Sequence, residues 1–176
     1  MKQSDAIKKT ERLFLRQIDE TDTEAVVKLR SDEKIYRFFK KPVKLCADDH
    51  IRWYRNVYCK NEECIEWIAL DDELGFFVGI YGAMKSDENV VELGYITNPE
   101  YKQRGYASEA IIGIIKWCSK KWGTEDFLAI VHEDNKPSIE FVYSLGFEER
   151  GNNNEFKIMK LHVREDIDDL HPCRCK

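Results

Sequence analysis

The stretch that decides the fold runs from Val90 to Ala110 and reads Val-Val-Glu-Leu-Gly-Tyr-Ile-Thr-Asn-Pro-Glu-Tyr-Lys-Gln-Arg-Gly-Tyr-Ala-Ser-Glu-Ala. An apolar, strand-like run leads through Asn98-Pro99 into a basic turn, and an amphipathic helix follows from Gly105. The first turn of a helix has N–H groups without an intrahelical partner and the positive end of the helix dipole, so it suits a phosphate. Because this turn follows a strand directly, it lies at the carboxyl end of that strand, where open α/β sheets bind ligands. The stretch therefore predicts a phosphate-bearing ligand held mainly by main chain.

This turn resembles the phosphate-binding motif of the GNAT superfamily of acyl-CoA-dependent N-acyltransferases. That motif is Gln or Arg, two residues, Gly, one residue, then Gly or Ala. Here Lys102 stands at the Gln/Arg position, Gly105 and Ala107 match, and Gln103 stands where many members have Gly. The resemblance implies acetyl-CoA as co-substrate, with its diphosphate held by the turn. The residues implied in this role are Lys102, Gln103, Arg104, Gly105, Tyr106, Ala107 and Ser108.

A second segment, from Asn135 to Phe147, resembles the block that follows in the same family: Asn, two residues, Ser or Ala, then a helix ending in Gly-Phe. Helix capping alone also explains it, with Asn135 as N-cap, Pro137 in the first turn and Gly146 just past the end. Capping does not explain why the two blocks follow one another in this order and at this spacing. With Ser138 three residues after Asn135, the chain is similar to the ribosomal-protein-alanine acetyltransferase branch.

The resemblance implies an α/β (α+β) GNAT fold, with a mixed central sheet of about seven strands flanked by about four helices. The fourth and fifth strands of this sheet splay apart. The hydrophobic patterns predict strands at 11–18, 65–70, 76–84, 90–97, 127–131, 147–149 and 155–161, and helices at 21–30, 48–59, 105–122 and from 135. Thr21 to Glu24 has the pattern of a capping box, and 34–45 reads as a loop. We expect a flexible N-terminus over 1–10, a GNAT domain over 11–162 and a tail over 163–176.

For catalysis, the resemblance implies direct attack of a neutral amine on the thioester, without an acyl-cysteine. Glu92, the acidic residue of its strand, is the candidate general base through a water, and an outward-facing strand glutamate is the alternative. Ser138 is the candidate hydroxyl for the leaving thiolate, and a helix-start residue satisfying backbone is the alternative. The tyrosine that many members carry seven residues after the Asn is Val142 here. The further residues implied to contact acetyl-CoA are Tyr95, Ile96, Thr97 and Asn135.

Acceptor specificity is expected from the first two helices, their loop and the third strand. The aromatic candidates are Tyr36, Trp53, Tyr54 and Trp67, with a core role as the alternative for each. The acceptor stays open between a protein N-terminus, a polyamine and another small amine. Deprotonating a lysine-like amine at pH 7 costs about 4.6 kcal/mol, and an α-amine costs only about 1 kcal/mol. A general base is therefore needed far more for the first class.

Composition sets outer bounds on function. The 176 residues are 43% hydrophobic, which suits one domain with a core, and contain no apolar run of the ~18 residues that a membrane span needs. The net charge of −5 is spread along the chain, which argues against broad nucleic-acid binding and is compatible with a cationic amine. The polar first ten residues carry no apolar signal region, so cytoplasm is the expected location, as a monomer or homodimer.

Six cysteines without a regular spacing favour reduced thiols. Cys173 and Cys175 beside His171 lack the usual zinc spacing, and we predict no metal. Two other functions stay open: an acyl-CoA-binding sensor or scaffold without turnover, and an unrelated nucleotide-binding α/β domain. Against the latter, the chain has neither a G-x-G-x-x-G nor a G-x-x-x-x-G-K-[ST] pattern.

Overall fold

The computed structural model describes residues 9–163 of the 176-residue chain. Its strands are β1 (Leu13–Gln17), β2 (Cys64–Asp71), β3 (Phe77–Lys85), β4 (Val90–Thr97), β5 (Asp126–His132), β6 (Glu148–Asn153) and β7 (Phe156–His162). Its α-helices are α1 (Thr23–Arg30), α2 (Glu33–Tyr36), α3 (Ala47–Asn56), α4 (Tyr106–Trp122) and α5 (Lys136–Ser144). Short 3-10 turns lie at Glu20–Asp22, Tyr58–Lys60 and Pro99–Tyr101.

The seven strands form one mixed sheet in the order β1-β2-β3-β4-β5-β7-β6. Only β4 and β5 run parallel among these neighbours, and α4 makes the crossover between them. The predicted parallel insertion of β5 is confirmed on its β4 side, and on the other side β5 pairs antiparallel with β7. This is the fold that the resemblance implies.

The sheet is covered on both faces, and each face has its own apolar cluster. Helices α4 and α5 cover one face, over strand residues that include Val91, Leu93, Phe127, Ala129 and Val131. Helices α1 to α3 cover the other face, in a cluster that includes Val26, Leu29, Ile35, Ile68 and Ile80. Because side chains alternate along a strand, the intervening residues of β4 and β5 face the α1–α3 side.

The start of α1 differs from the prediction. The capping box is formed by Asp19 and Asp22, not by Thr21 and Glu24, and it caps the 3-10 turn that precedes the helix. Asp22 accepts a hydrogen bond from Asp19 N–H at 2.8 Å and pairs with Arg16. Thr21 instead contacts the Asp19 carboxylate through its hydroxyl, so α1 begins two residues later, at Thr23.

Three other boundaries matter for the predictions. The segment predicted as a loop at 34–45 begins in the short helix α2. Thr10, predicted as the last residue of the flexible N-terminus, donates its hydroxyl to Glu109 in α4 at 2.5 Å. The predicted tail lies outside the described residues from position 164 onward, and so do Cys173, Cys175 and His171. Within residues 9–163, no helix is both long and apolar enough to span a membrane.

Candidate active site

The parallel strands β4 and β5 part after three paired positions. Their register runs Val90 with Asp126, Val91 with Phe127, and Glu92 with Leu128, and then stops. Beyond that point β4 stays paired with β3 as far as Thr97, and β5 stays paired with β7 as far as His132. Each strand therefore follows its outer neighbour, and a wedge opens between them at their carboxyl ends.

A cavity of about 670 Å³ fills this wedge. Eleven of the residues predicted for the site line it, namely Tyr95, Ile96, Thr97, Lys102, Gln103, Gly105, Tyr106, Ala107, Ser108, Asn135 and Ser138. Five do not line it, namely Glu92, Arg104, Tyr36, Trp53 and Trp67. Most of the residues predicted to contact acetyl-CoA thus line one cavity, whereas the residues predicted to bind the acceptor amine do not.

The N-terminus of α4 opens into the cavity without a capping side chain. Gly105, the N-cap residue, has φ +81° and, as a glycine, provides no side chain to cap the first helical N–H groups. Tyr106, Ala107 and Ser108 carry these groups, and all three line the cavity. Main-chain donors of this kind, with the helix dipole behind them, suit a diphosphate.

The turn before α4 is strained at one position. Gln103 has φ +60°, the left-handed region that favours glycine. This is the position where many GNAT members have Gly, so the chain keeps the same backbone shape with a less suitable residue. Asn98 fixes the start of the turn, since its side chain accepts from Glu100 N–H at 3.2 Å and donates to Phe77 O at 3.2 Å.

Arg12, just before β1, holds this turn from outside the cavity. Its Nη1 donates to Arg104 O at 3.0 Å, and its Nε donates to Glu109 Oε2 at 2.8 Å. Its guanidinium also lies over the Tyr106 ring, 4.6 Å from the centroid. Sequence reasoning missed Arg12, because it is 92 residues away from Arg104 in the chain.

The side chains of two implied cofactor residues contact other residues of the protein. The Tyr106 side chain is buried, and its hydroxyl donates to Asp71 Oδ2 at 2.9 Å, so only its main chain is available to a ligand. The Arg104 guanidinium lies 5.6 Å from the Tyr101 ring centroid and outside the cavity lining.

At the start of α5, Asn135 occupies the predicted N-cap position but does not cap the helix through its side chain. Its side chain makes no capping hydrogen bond, and its carbonyl oxygen accepts from Ser138 N–H and Ile139 N–H, each at 3.0 Å. Because the carboxamide caps nothing and Asn135 lines the cavity, it is available to a ligand. Pro137 lies in the first turn, and Gly146 follows the helix with φ +88°, as predicted.

Ser138 contacts Tyr95 across the cavity floor. The two hydroxyl oxygens are 2.6 Å apart, and the Tyr95 ring packs edge-on against Phe141 at 5.0 Å. Burial raises the pKa of Tyr95 to about 12, so it keeps its proton at neutral pH. The family tyrosine position is filled by buried Val142, and the Tyr143 hydroxyl points away to Glu149.

Glu92 lies at the apex of the wedge, as the last residue of β4 that pairs with β5. Its side chain is 35% exposed, and its carboxylate is 3.6 Å from Lys40 Nζ. The cavity lining on β4 begins one residue later, at Leu93. A role in proton transfer therefore needs a bridging water, as the sequence analysis expected.

The predicted acceptor residues require a correction. Trp67 is completely buried, in edge contact with Trp117 under α4, because its position on β2 faces the α4–α5 side. Trp53 packs against Tyr58 and His50 in the other core, with ring centroids 5.3 and 5.6 Å apart. Tyr36 is half-buried outside the cavity lining. For Trp67 and Trp53, the structure therefore agrees with the alternative interpretation, a role in the core.

Other residues line the cavity where the acceptor was expected. We call this surface the α2 wall, and it consists of Lys34, Ile35, Phe38, Phe39, Ile130 and His132. Phe38 meets His132 edge-on at 5.7 Å and so connects the turn after α2 to the end of β5. His132 Nδ1 accepts from Asp134 N–H at 3.2 Å, which places the proton of a neutral ring on Nε2. The aromatic, basic run around Phe38 was the available sequence signal, but its pattern predicts only a loop.

The comparisons with known proteins agree with this geometry. The family model of an acetyltransferase (GNAT) domain matches residues 12–148, more than half of the chain. The chain belongs to the GNAT acetyltransferase family. This GNAT protein is 26% identical over 149 residues to the "Uncharacterized N-acetyltransferase YoaA" of Bacillus subtilis (strain 168), which covers 82% of this chain and 84% of that protein. Its place in the ribosomal-protein-alanine branch stays a prediction.

Solved structures show the same fold. The GNAT-family acetyltransferase from Bacillus anthracis superposes with a TM-score of 0.73 at 24% identity, covering 88% of this chain and 96% of that chain. Spermidine N-acetyltransferase from Vibrio cholerae, solved with CoA and spermine, gives 0.74 at 16% identity, covering 86% and 95%. At these identities the likeness concerns the fold and not the substrate.

Two further observations concern other chemistries. Within residues 9–163, no group of three or more His, Cys, Asp or Glu side chains is placed to hold a metal ion. None of the cysteines in that range lines the cavity. Cys118 lies on the buried face of α4, and burial raises the pKa of its thiol.

Proposed function

We propose that this protein is an N-acetyltransferase that moves an acetyl group from acetyl-CoA to a primary amine by direct attack. The observation that carries the proposal is the uncapped N-terminus of α4, which opens into a cavity between two splayed parallel strands. This arrangement can accommodate the diphosphate of acetyl-CoA at the helix N-terminus and its pantetheine arm between the strands at the same time.

The diphosphate of acetyl-CoA fits the N–H groups of Gln103 to Ser108. Each charge-assisted hydrogen bond contributes roughly 1.5–3 kcal/mol. Lys102, exposed at the rim of the cavity, adds Coulombic attraction. Several such contacts anchor the cofactor mainly through main chain, so binding depends on the shape of the turn more than on its side chains.

The pantetheine arm fits the wedge, beside Leu93 to Thr97 on β4 and near the free carboxamide of Asn135. A main-chain N–H of β4 is the proposed donor to the thioester oxygen, whose negative charge grows during attack. The wedge begins at Glu92, so the reacting carbon belongs near the narrow end, between Glu92 and Ser138.

In the proposed transfer, a bond forms between the amine nitrogen and the acetyl carbon, and the carbon–sulfur bond breaks. The amine proton passes through a water to the Glu92 carboxylate. The sulfur leaves with the bonding electron pair, accepts a hydrogen bond from Ser138 and gains a proton from solvent. No oxidant or metal takes part in this sequence.

Thiol release tests the proposal. The purified protein with acetyl-CoA and a broad panel of amines is expected to release free thiol and to form the N-acetyl product. CoA binding by calorimetry without thiol release for any amine would instead favour the sensor or scaffold function. Failure to bind CoA at all would overturn both.

A further inference from the structure

The α2 wall contains Lys34 and no acidic residue. Although the protein has a net charge of −5, the segment from Lys34 to Lys44 contains five lysines and arginines and no acidic residue. Lys34 lines the cavity, and among the described residues its ammonium pairs with no carboxylate. Lys34 therefore brings a positive charge to the cavity wall, with Asp32 and Glu33 directly before it in the chain.

Apolar groups make up most of the rest of this wall. Ile35, Phe38 and Phe39 come from α2 and the turn after it, and Ile130 comes from β5. Arg37 stacks over Phe38 at 4.5 Å from the ring centroid, which adds a further cation behind the aromatic surface. An acceptor entering here packs an apolar or aromatic group against this surface.

Two carboxylates near this wall each face a cation or a histidine. Glu92 lies 3.6 Å from Lys40, and Glu155, which is 73% exposed, lies 3.8 Å from His132 Nε2. No Asp or Glu among residues 9–163 lines the cavity itself. A polyamine would therefore desolvate several ammonium groups beside Lys34 without a lining carboxylate to compensate, which is unfavourable.

We propose that the acceptor is a small amine that carries an apolar or aromatic group and an anionic group such as a carboxylate, with Lys34 as the residue that selects the anion. This inference rests on the proposed acetyl transfer to an amine. His132 lies on the same wall, but its Nε2 faces Glu155 at 3.8 Å, so the selection of the anion is assigned to Lys34 alone.

The test compares three groups of amines at one pH: amino acids such as phenylalanine and leucine, their uncharged amides, and polyamines such as spermidine. We expect the highest kcat/KM for thiol release with the amino acids. In Lys34→Ala, the ratio of kcat/KM for phenylalanine over phenylalaninamide should fall about fivefold. In Lys34→Glu, the preference should move towards spermidine. The two amines differ in basicity by the same factor for every variant, so this factor cancels when the ratio for Lys34→Ala is compared with that of the wild type.

Lys41→Ala is the matched control, since Lys41 is an exposed lysine of the same segment that does not line the cavity. Its ratio should equal that of the wild type. Preferred transfer to spermidine or to the amides by the wild type, with each kcat/KM expressed per neutral amine, would overturn this inference and leave the proposed function standing. An unchanged ratio in Lys34→Ala would do the same. CoA binding without thiol release for any of the three groups would overturn this inference, whereas the proposed function fails only if the broad panel of amines also releases no thiol.

Discussion

The hydroxyl oxygens of Tyr95 and Ser138 lie 2.6 Å apart, although the residues are 43 positions apart in sequence and belong to β4 and α5. With a pKa raised to about 12 by burial, Tyr95 is too weak an acid to protonate a thiolate whose conjugate thiol has a pKa near 8.5. It can, however, donate its hydrogen bond to Ser138 and leave the serine proton for the sulfur. We propose that the pair takes the role of the tyrosine that many GNAT members have at the position of Val142.

Tyr95→Phe and Ser138→Ala are each expected to lower kcat about tenfold, a loss of one hydrogen bond to a developing charge. The double variant should be no slower than Ser138→Ala, because the two hydroxyls act in series. Steady-state thiol release and calorimetry with CoA measure this, with Kd for CoA little changed. Full activity in Tyr95→Phe would show that the contact is only structural.

Glu92→Gln should lower kcat/KM and leave CoA affinity intact. The loss should be larger for a lysine-like amine than for an α-amine, since about 4.6 kcal/mol of deprotonation is at stake in the first case and about 1 kcal/mol in the second. Glu88→Gln, in the exposed turn before β4, is the control. Equal rates for the Glu92→Gln variant and the wild type would remove Glu92 from the mechanism.

The turn before α4 offers two opposite substitutions. Gly105→Ala places a side chain at φ +81° and 3.2 Å from Arg12 Nη2, so we expect a loss of about 1–2 kcal/mol and a Tm lower by about 2–8 °C. Gln103→Gly relieves the strain at φ +60° and should leave the Tm unchanged or raised. Thermal unfolding with and without CoA distinguishes them, and weaker CoA binding is expected only for Gly105→Ala. A lower Tm in Gln103→Gly would contradict this account of the turn.

Acid should weaken the support of α4 through Asp71. The hydrogen bond from Leu74 N–H, followed by that from the Tyr106 hydroxyl, lowers the pKa of Asp71 below its usual 3.8. Because the folded pKa is the lower one, the stabilisation is fully present above pH about 4 and is lost as pH falls through the folded pKa. Asp71→Asn should therefore be less stable than the wild type at pH 7, with a difference that shrinks in acid. Urea unfolding at several pH values measures it, and a difference that is constant with pH would refute the assignment.

The donor half of the site follows from the sequence because its determinants are local. The stretch from Val90 to Ala110 contains a strand, the turn with Gly105 and the start of a helix. The order of these elements determines where the unpaired N–H groups point. The strand alternation of β4 likewise places Tyr95 on the α5 side. Its partner, however, depends on how α5 packs on the sheet, which no local pattern gives.

The residues that line the acceptor side of the cavity could not be predicted from the sequence, because their positions depend on contacts between distant parts of the chain. Trp67 is of a residue type that often binds ligands. Its position on β2, however, directs its side chain into the core below α4. Phe38 reaches the cavity through contact with His132, 94 residues further along the chain. The support of the turn by Arg12 depends on the place of β1 at the sheet edge in the same way.

A crystal structure with bound CoA tests the central claim most directly. The account predicts the diphosphate on the main-chain N–H groups between Gln103 and Ser108, with the pantetheine arm between β4 and β5 and the sulfur near Ser138. A diphosphate bound elsewhere on the protein, or a wedge that stays free of pantetheine while CoA is bound, would contradict it.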